Sequence, residues 1–362
     1  VERYRFLISG GGTGGHIYPA LAIADELRRR MPQAKFLFVG AKDRMEMEKV
    51  PQAGYEIRGL WISGLDRKLS WKNLLFPLKI CSSLLKAYRI LREFKPHLVV
   101  GTGGFASGPT LAMANKLGIP TVLQEQNSFA GITNKLLGGK AERIFVSYEG
   151  MNRFFPEKSI RLTGNPVRQF LSTSLPEKKS AAANFGLSPE LPVLLILGGS
   201  LGARRINELI AQKSRFIQDL GFQILWQCGT SYHNTYQRFD TDSVRVLPFI
   251  GDMASAYAAA DIIISRAGAG AVSELCLVGK PVIFIPSPNV AEDHQTKNAR
   301  AMSEKGAALL IAEGDLDLQF DSVLSELVSN PQLLKSLGDR LRAEQKPDAT
   351  QDIVDEILQI VR

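Results

Sequence analysis

The stretch Arg5-Phe6-Leu7-Ile8-Ser9-Gly10-Gly11-Gly12-Thr13-Gly14-Gly15-His16 runs from a short apolar strand directly into glycines. Tyr18 to Arg30 then carries Ala20, Ala24 and Leu27 on one helical face, and Pro32 ends it. Strand, glycine turn and helix in that order make an α/β unit suited to phosphate. Glycines let backbone N–H groups come close to the anion, and the helix N-terminus behind them favours negative charge. The unit recurs at Val193-Leu194-Leu195-Ile196-Leu197-Gly198-Gly199-Ser200-Leu201-Gly202-Ala203-Arg204. A further glycine turn, Gly101-Thr102-Gly103-Gly104-Phe105-Ala106-Ser107-Gly108-Pro109, follows the strand Leu98 to Val100.

Outward from these turns the chain alternates strand and helix. Strands are predicted at Lys35 to Val39, Thr121 to Leu123 and Arg143 to Val146. After a crossing near Asn165-Pro166-Val167, and a weakly patterned stretch from Ser172 to Ser188, the rhythm restarts. The later strands are Gln223 to Gln227, Val244 to Leu247, Asp261 to Ser265 and Val282 to Ile285, with a helix over Ala271 to Val278 and helices from Asp315 onward. Short apolar strands separated by helices predict parallel sheets covered on both faces. The 362 residues suit two such doubly wound domains with a cleft between them, 1–165 and 166–345, with a last helix in 346–362 returning to the first. Ligands of such sheets bind beyond the carboxyl ends of the strands, where all three turns lie.

Several function classes are excluded. A dinucleotide site needs an acidic residue at the end of the second strand, and here that strand ends in Val39-Gly40. No Gly-Lys-Ser/Thr follows any turn, so the phosphate loop of ATPases is absent. No His, Cys or carboxylate cluster has metal spacing, and Cys81, Cys228 and Cys276 read as buried thiols. No apolar run approaches the ~18 residues of a membrane-spanning helix, and Tyr4 to Ser9 is too short for a signal peptide, which predicts a cytoplasmic chain. The net charge of +8 is concentrated: nine Lys/Arg against two acids lie between Arg58 and Lys95. No nucleic-acid-binding module accompanies them, so nucleic acid is not an expected partner.

Four groups of residues look chemical. His16 ends the first turn and is either a general base for a hydroxyl or a histidine that packs the turn. Gln124-Glu125-Gln126-Asn127 ends a strand with four polar residues, suited to sugar hydroxyls or to a solvated loop. Glu274 lies early in the helix after Ser265-Arg266-Ala267-Gly268, placed to take both hydroxyls of a ribose or to sit favourably near a helix N-terminus. Glu292-Asp293-His294-Gln295 is a polar loop after another strand.

Together, Gly-Gly-Thr-Gly-Gly-His, Gly-Gly-Phe-Ala-Ser-Gly-Pro, Glu-Gln-Asn, Gly-Asn-Pro-Val-Arg, Gly-Gly-Ser-x-Gly-Ala-Arg and the Ser-Glu helix occur here in order. The set resembles the MurG family, the bacterial peptidoglycan N-acetylglucosaminyltransferases, over roughly residues 5 to 310. The resemblance implies a GT-B fold and an inverting transfer without metal or cofactor. N-acetylglucosamine would pass from UDP-N-acetylglucosamine to the 4-hydroxyl of the muramyl sugar of lipid I, making lipid II. It implies a donor site in which Ser200 and the third turn hold the diphosphate, the Ile250 backbone reads uracil, and Glu274 takes the ribose. Ala269, Gly270, Ala271, Val272 and Ser273 would wrap the nucleotide, and Gln295 would touch the sugar. Arg168 and Arg266 would meet phosphate charge, and Thr13, Gly14, Gly15 and Asn127 would close from the N-terminal side. Gly104 and Ser107 would face the acceptor diphosphate. Gln124, Leu201, His294 and Phe105 depart from the residues common in the family, and with no histidine at 124 the base is His16, with Glu125 second.

A lipid-linked acceptor also gives the basic window a purpose at the anionic cytoplasmic face of the membrane. Trp71, Leu74, Leu75 and Phe76 are the candidate membrane residues, whereas Ile80, Leu84, Ala87 and Leu91 form a helical face expected in the core. Competing readings are a glycosyltransferase for another lipid such as diacylglycerol, a UDP-N-acetylglucosamine 2-epimerase, and a non-catalytic nucleotide sensor.

Overall fold

A computed structural model describes residues 4–64, 75–167, 175–199 and 201–361. Its contacts divide the chain into two units, Val1–Val167 with Asp348–Arg362, and Arg168–Pro347.

In the first unit, β1 (Arg5–Gly10), β2 (Lys35–Ala41), β3 (Ile57–Leu60), β4 (Leu98–Gly103), β5 (Thr121–Glu125), β6 (Arg143–Val146) and β7 (Ile160–Leu162) form a parallel sheet in the order β3-β2-β1-β4-β5-β6-β7. Successive side chains of a strand point to opposite faces, so a sheet covered twice needs apolar residues at nearly every position. Phe6, Ile8, Phe38, Val100 and Phe145 pack with residues of the helices Gly14–Arg30 and Ala349–Val361. Leu7, Val39, Val99, Leu123 and Ile144 pack with those of Phe76–Phe94 and Ser107–Lys116. The last helix is thus part of this unit: Ile353, Val354 and Ile357 are fully buried, and Arg30–Asp355 and Arg143–Glu356 ion pairs flank them.

In the second unit, β8 (Val193–Leu197), β9 (Gln223–Gln227), β10 (Val244–Leu247), β11 (Ile262–Ser265), β12 (Val282–Phe284) and β13 (Leu309–Leu310) form a parallel sheet in the order β10-β9-β8-β11-β12-β13. Counted from its own first strand, this is the order of β3-β2-β1-β4-β5-β6, the doubly wound order of nucleotide-binding sheets. The strand order reverses between β1 and β4 and again between β8 and β11, which marks two crevices for ligands.

The structure adds β3, β7 and β13, which are four, three and two residues long and too short to show periodicity. It places a helix at Lys178–Asn184, where the buried Ala181 and Ala182 give little hydrophobic signal. The first helix begins at Gly14, directly on the turn. Cys228 and Cys276 are buried, but Cys81 is exposed, because it lies off the buried face of helix Phe76–Phe94. Among the described residues, no helix is long and apolar enough to cross a membrane.

Candidate active site

The first and second glycine turns meet at the crevice between β1 and β4. Gly11 N–H donates to the Gly103 carbonyl at 3.3 Å, and the Thr102 hydroxyl donates to the His16 carbonyl at 2.8 Å. Gly104 must be glycine: its φ is +87°, and a Cβ there would lie 2.2 Å from the Gly11 carbonyl oxygen. His16 is half-buried in the first helical turn. Its Nδ1 lies 3.1 Å from the Gly11 carbonyl and 3.1 Å from the Thr13 hydroxyl. A carbonyl only accepts, so Nδ1 carries a hydrogen, and in the neutral ring Nε2 then carries the lone pair. That is the tautomer a general base requires. The N-cap Thr13 side chain caps none of the helix's backbone N–H groups, which leaves those of Gly14 and Gly15 in the first turn for an anion.

Ser107, expected at the acceptor diphosphate, has another role. It is fully buried, with its hydroxyl 2.6 Å from the Ser9 carbonyl and 2.9 Å from that of Gly103, so it ties β1 to the second turn.

The polar run after β5 is also a correction. Gln124, Glu125 and Gln126 are all buried, so they are neither a solvated loop nor a sugar-facing surface. An unpaired buried polar group costs about 1–3 kcal/mol, and here each is paired. Gln124 Nε2 donates to Asn165 Oδ1 at 2.8 Å, Gln126 Nε2 donates to the Thr102 carbonyl at 2.7 Å, and Asn165 Nδ2 donates to the Gln126 carbonyl at 3.0 Å. Glu125 accepts from the N–H of Asn127 at 3.0 Å, the N–H of Gly131 at 3.0 Å, Asn134 Nδ2 at 2.8 Å and Asn127 Nδ2 at 3.3 Å. Burial raises its pKa, and these hydrogen bonds oppose the rise. Its carboxylate is committed to bracing the loop 127–134. Asn127 alone of the four is partly exposed.

In the second unit a cavity of ≈ 610 Å³ opens at the carboxyl ends of β8, β11 and β12. Its lining includes Gly198 and Gly202 of the third turn, Arg204, Arg205, Arg266, Ser287, Gln295 and Glu313. The volume lies in the range of small-ligand sites, and three arginines suit an anion. The helix Arg204–Asp219 starts here with no side-chain cap, so its N-terminal N–H groups remain for a ligand. Gly202 is fixed as glycine by φ of +83° and by the Cys228 carbonyl, which a Cβ would approach to 2.1 Å. Arg266 is largely buried, with Nη1 donating to the Ile285 carbonyl at 2.9 Å and Nη2 paired with Glu313. Gln295 Oε1 accepts from Ser287 N–H at 2.9 Å, which orients its amide nitrogen away from that contact.

The cavity therefore brings together Arg266 and Gln295 of the predicted donor residues, while Ile250, Ala269, Gly270, Ala271, Val272, Ser273 and Glu274 do not line it. Ile250 is buried and its N–H donates to Gln227 Oε1 at 2.9 Å, so only its carbonyl is left to read a base edge. Glu274 is half-buried and accepts from the Tyr257 hydroxyl at 3.0 Å. Ser200, Arg168, Trp71 and Leu74 lie outside the described residues. Sequence reasoning missed Gln227, Glu313 and Glu46. Gln227 sits at the end of β9, and its Nε2 also donates to the Gly199 carbonyl at 3.1 Å, tying the third turn to Ile250. A polar residue at the carboxyl end of a strand, after the apolar Ile224-Leu225-Trp226, was the available signal.

Two doubly wound units, one with an oriented histidine and one with an arginine-lined anion cavity, define a GT-B glycosyltransferase. The chain belongs to glycosyltransferase family 28: the family's N-terminal domain matches residues 6–146 and its C-terminal domain residues 193–353. It is 54% identical, over 100% of its length and 99% of the relative, to the UDP-N-acetylglucosamine–N-acetylmuramyl-(pentapeptide) pyrophosphoryl-undecaprenol N-acetylglucosamine transferase of Flavobacterium psychrophilum. The like-named protein of Christiangramia forsetii is 53% identical, with 99% of this chain and 98% of that one covered. Among solved structures, MurG of Acinetobacter baumannii is similar with a TM-score of 0.80 at 29% identity, covering 99% of this chain and 100% of that one.

Proposed function

We propose that this chain transfers N-acetylglucosamine from UDP-N-acetylglucosamine to the 4-hydroxyl of the muramyl sugar of lipid I, producing lipid II with inversion to a β-1,4 linkage. The observation that carries the reading is the full-length likeness to relatives bearing that activity in their names. The two sites support it by dividing the chemistry. His16 Nε2 takes the proton of the acceptor hydroxyl as the hydroxyl oxygen attacks C1 of the donor sugar. The bond from C1 to the diphosphate oxygen breaks, and UDP leaves with one more negative charge. That charge is met by Arg204, Arg266 and the N–H groups at the start of helix Arg204–Asp219. Glu274 and the Ile250 carbonyl serve ribose and uracil, and Gly104 serves the acceptor diphosphate. Incubation with UDP-N-acetylglucosamine and a short-chain lipid I analogue tests it. Sugar transfer that requires both substrates is expected. Donor conversion without acceptor would point to an epimerase, transfer to diacylglycerol to another lipid acceptor, and binding without turnover to a sensor.

The acceptor's lipid places this chain at the cytoplasmic membrane surface. Leu75, Leu78 and Leu85 are exposed around the first turns of helix Phe76–Phe94, whereas Ala87 and Leu91 are buried and Phe76 is half-buried. Part of the basic window already has partners within the unit: Arg58 pairs with Glu93, and Lys86 donates to the Gly59 carbonyl. Arg89 is exposed on the helix and supplies attraction to anionic lipid. Helix Ile132–Gly138 adds exposed Ile132 and Leu136. Sedimentation with anionic vesicles should be lost in a folded Leu78→Glu plus Leu85→Glu variant, and unchanged binding would remove this surface from the proposal.

A further inference from the structure

One buried carboxylate beside the base has no part in the transfer itself. Glu46 is fully buried in the helix Glu46–Gln52. Its Oε2 accepts from Gly12 N–H at 2.9 Å, and its Oε1 accepts from Ala41 N–H at 2.9 Å. Glycines make the space: a Cβ on Gly11 would stand 2.2 Å from Oε1, and one on Gly40 2.5 Å from the Glu46 Cγ. The Gly11 carbonyl and the Gly12 N–H belong to one peptide group. Its oxygen accepts from His16 Nδ1–H at 3.1 Å, while its N–H donates to Glu46. Carboxylate, peptide and imidazole therefore form one continuous hydrogen-bonded chain.

The physics of that chain has a direction. A peptide group is planar and rigid, so fixing its N–H also fixes where its oxygen points. A carboxylate drawing on the N–H polarises the amide and makes its oxygen a stronger acceptor. A stronger acceptor at Nδ1–H holds the ring in one tautomer and makes Nε2 more basic, as a carboxylate does directly in histidine-based triads. Groups placed against this chain include the Thr13 hydroxyl on His16 Nδ1, the Gly103 backbone beside the ring, and the Gly40–Ala41 backbone of β2 beside Glu46.

We propose that Glu46 is a positioning residue for sugar transfer: through the Gly11–Gly12 peptide it holds His16 in the Nδ1–H tautomer and makes its Nε2 the better proton acceptor. This rests on the reading of His16 as the base.

The experiment is NMR of the full chain with labelled histidine rings and backbone amides, joined to kinetics with UDP-N-acetylglucosamine and a short-chain lipid I analogue. In the wild type, the His16 ring should show the Nδ1–H tautomer, and the Gly12 amide proton should move with the His16 titration midpoint. In Glu46→Gln the tautomer preference should weaken, and the His16 midpoint and the acidic limb of the kcat profile should fall together. Its kcat should drop about 10- to 100-fold with KM for the donor unchanged. Glu46→Asp, which retains the charge, should recover part of each effect. A folded Glu46→Gln protein with wild-type tautomer, midpoint and kcat would overturn the proposal. If that variant does not fold, the wild-type Gly12 amide decides, and a flat response through the His16 titration overturns it. Full turnover in His16→Ala would instead overturn the base assignment, an outcome distinguishable because the ring and amide spectra do not depend on turnover.

Discussion

In the first unit the crevice between β1 and β4 is closed by internal contacts: Glu46 takes the Gly12 N–H, Ser107 joins Ser9 and Gly103, and His16 is held by Gly11. In the second unit the crevice between β8 and β11 opens into a cavity lined by arginines. Both sheets have the same strand order, and both turns carry a left-handed glycine with open space beside it, Gly12 at φ +85° and Gly199 at φ +86°. The difference lies in what meets the turn. A buried carboxylate and an oriented imidazole make the first suited to handling a proton, and cationic side chains make the third suited to holding a leaving diphosphate. On the proposed reading, one fold supports two halves of a reaction through a few side chains at each switch point.

The comparison breaks most visibly at the glycines. Gly202→Ala puts a Cβ against the Cys228 carbonyl at a left-handed position, and should cost about 3 kcal/mol or more of stability in urea unfolding. Gly12→Ala meets no neighbour within 4 Å, and should cost only the left-handed penalty of about 1–2 kcal/mol. Equal losses would show that the space beside each glycine does not set its cost. Next in size is the anion site. Arg266→Ala should weaken UDP binding by about 1.5–3 kcal/mol in calorimetry, the contribution of a charge-assisted hydrogen bond. Glu313→Gln should leave UDP binding intact or tighten it, because it releases Arg266 from its internal partner. Weakened binding in Glu313→Gln would show that the ion pair, rather than the arginine, forms the site.

An effect of the same order is expected at Glu125. Glu125→Gln puts an amide NH₂ against an N–H donor in the loop 127–134, and should cost about 1–3 kcal/mol. It should also change the pH dependence. Because burial raises the Glu125 pKa, the folded chain keeps this proton to a higher pH than the unfolded chain does. Stability from this group is then greatest below the unfolded carboxylate value and declines as pH rises through the folded one. The glutamine variant should lack that decline, and an unchanged slope would remove Glu125 as its source.

Much of this was legible in the sequence. The turns at Gly10 and Gly198 gave both sheets, because glycine after an apolar strand has few other physical reasons. His16 stood out because it follows the turn without a break. Buried polar residues were harder. Gln124 to Gln126 look like a surface in one dimension, since nothing local shows that Asn165 and Thr102 supply their partners. Glu46 and Glu313 are ordinary acidic residues until the fold brings Gly12 to one and Arg266 to the other. Arg266 itself was legible as a cation after a strand, but not its internal pairing.

On the proposed reading, the first unit supplies the base and the second holds the donor. The most direct test is the turnover of His16→Ala with UDP-N-acetylglucosamine and a short-chain lipid I analogue, alongside UDP affinity of the same protein. Its kcat should be lower by about 10²–10⁴-fold with UDP affinity unchanged, the size of a lost general base. Wild-type kcat in a folded His16→Ala protein would contradict that reading.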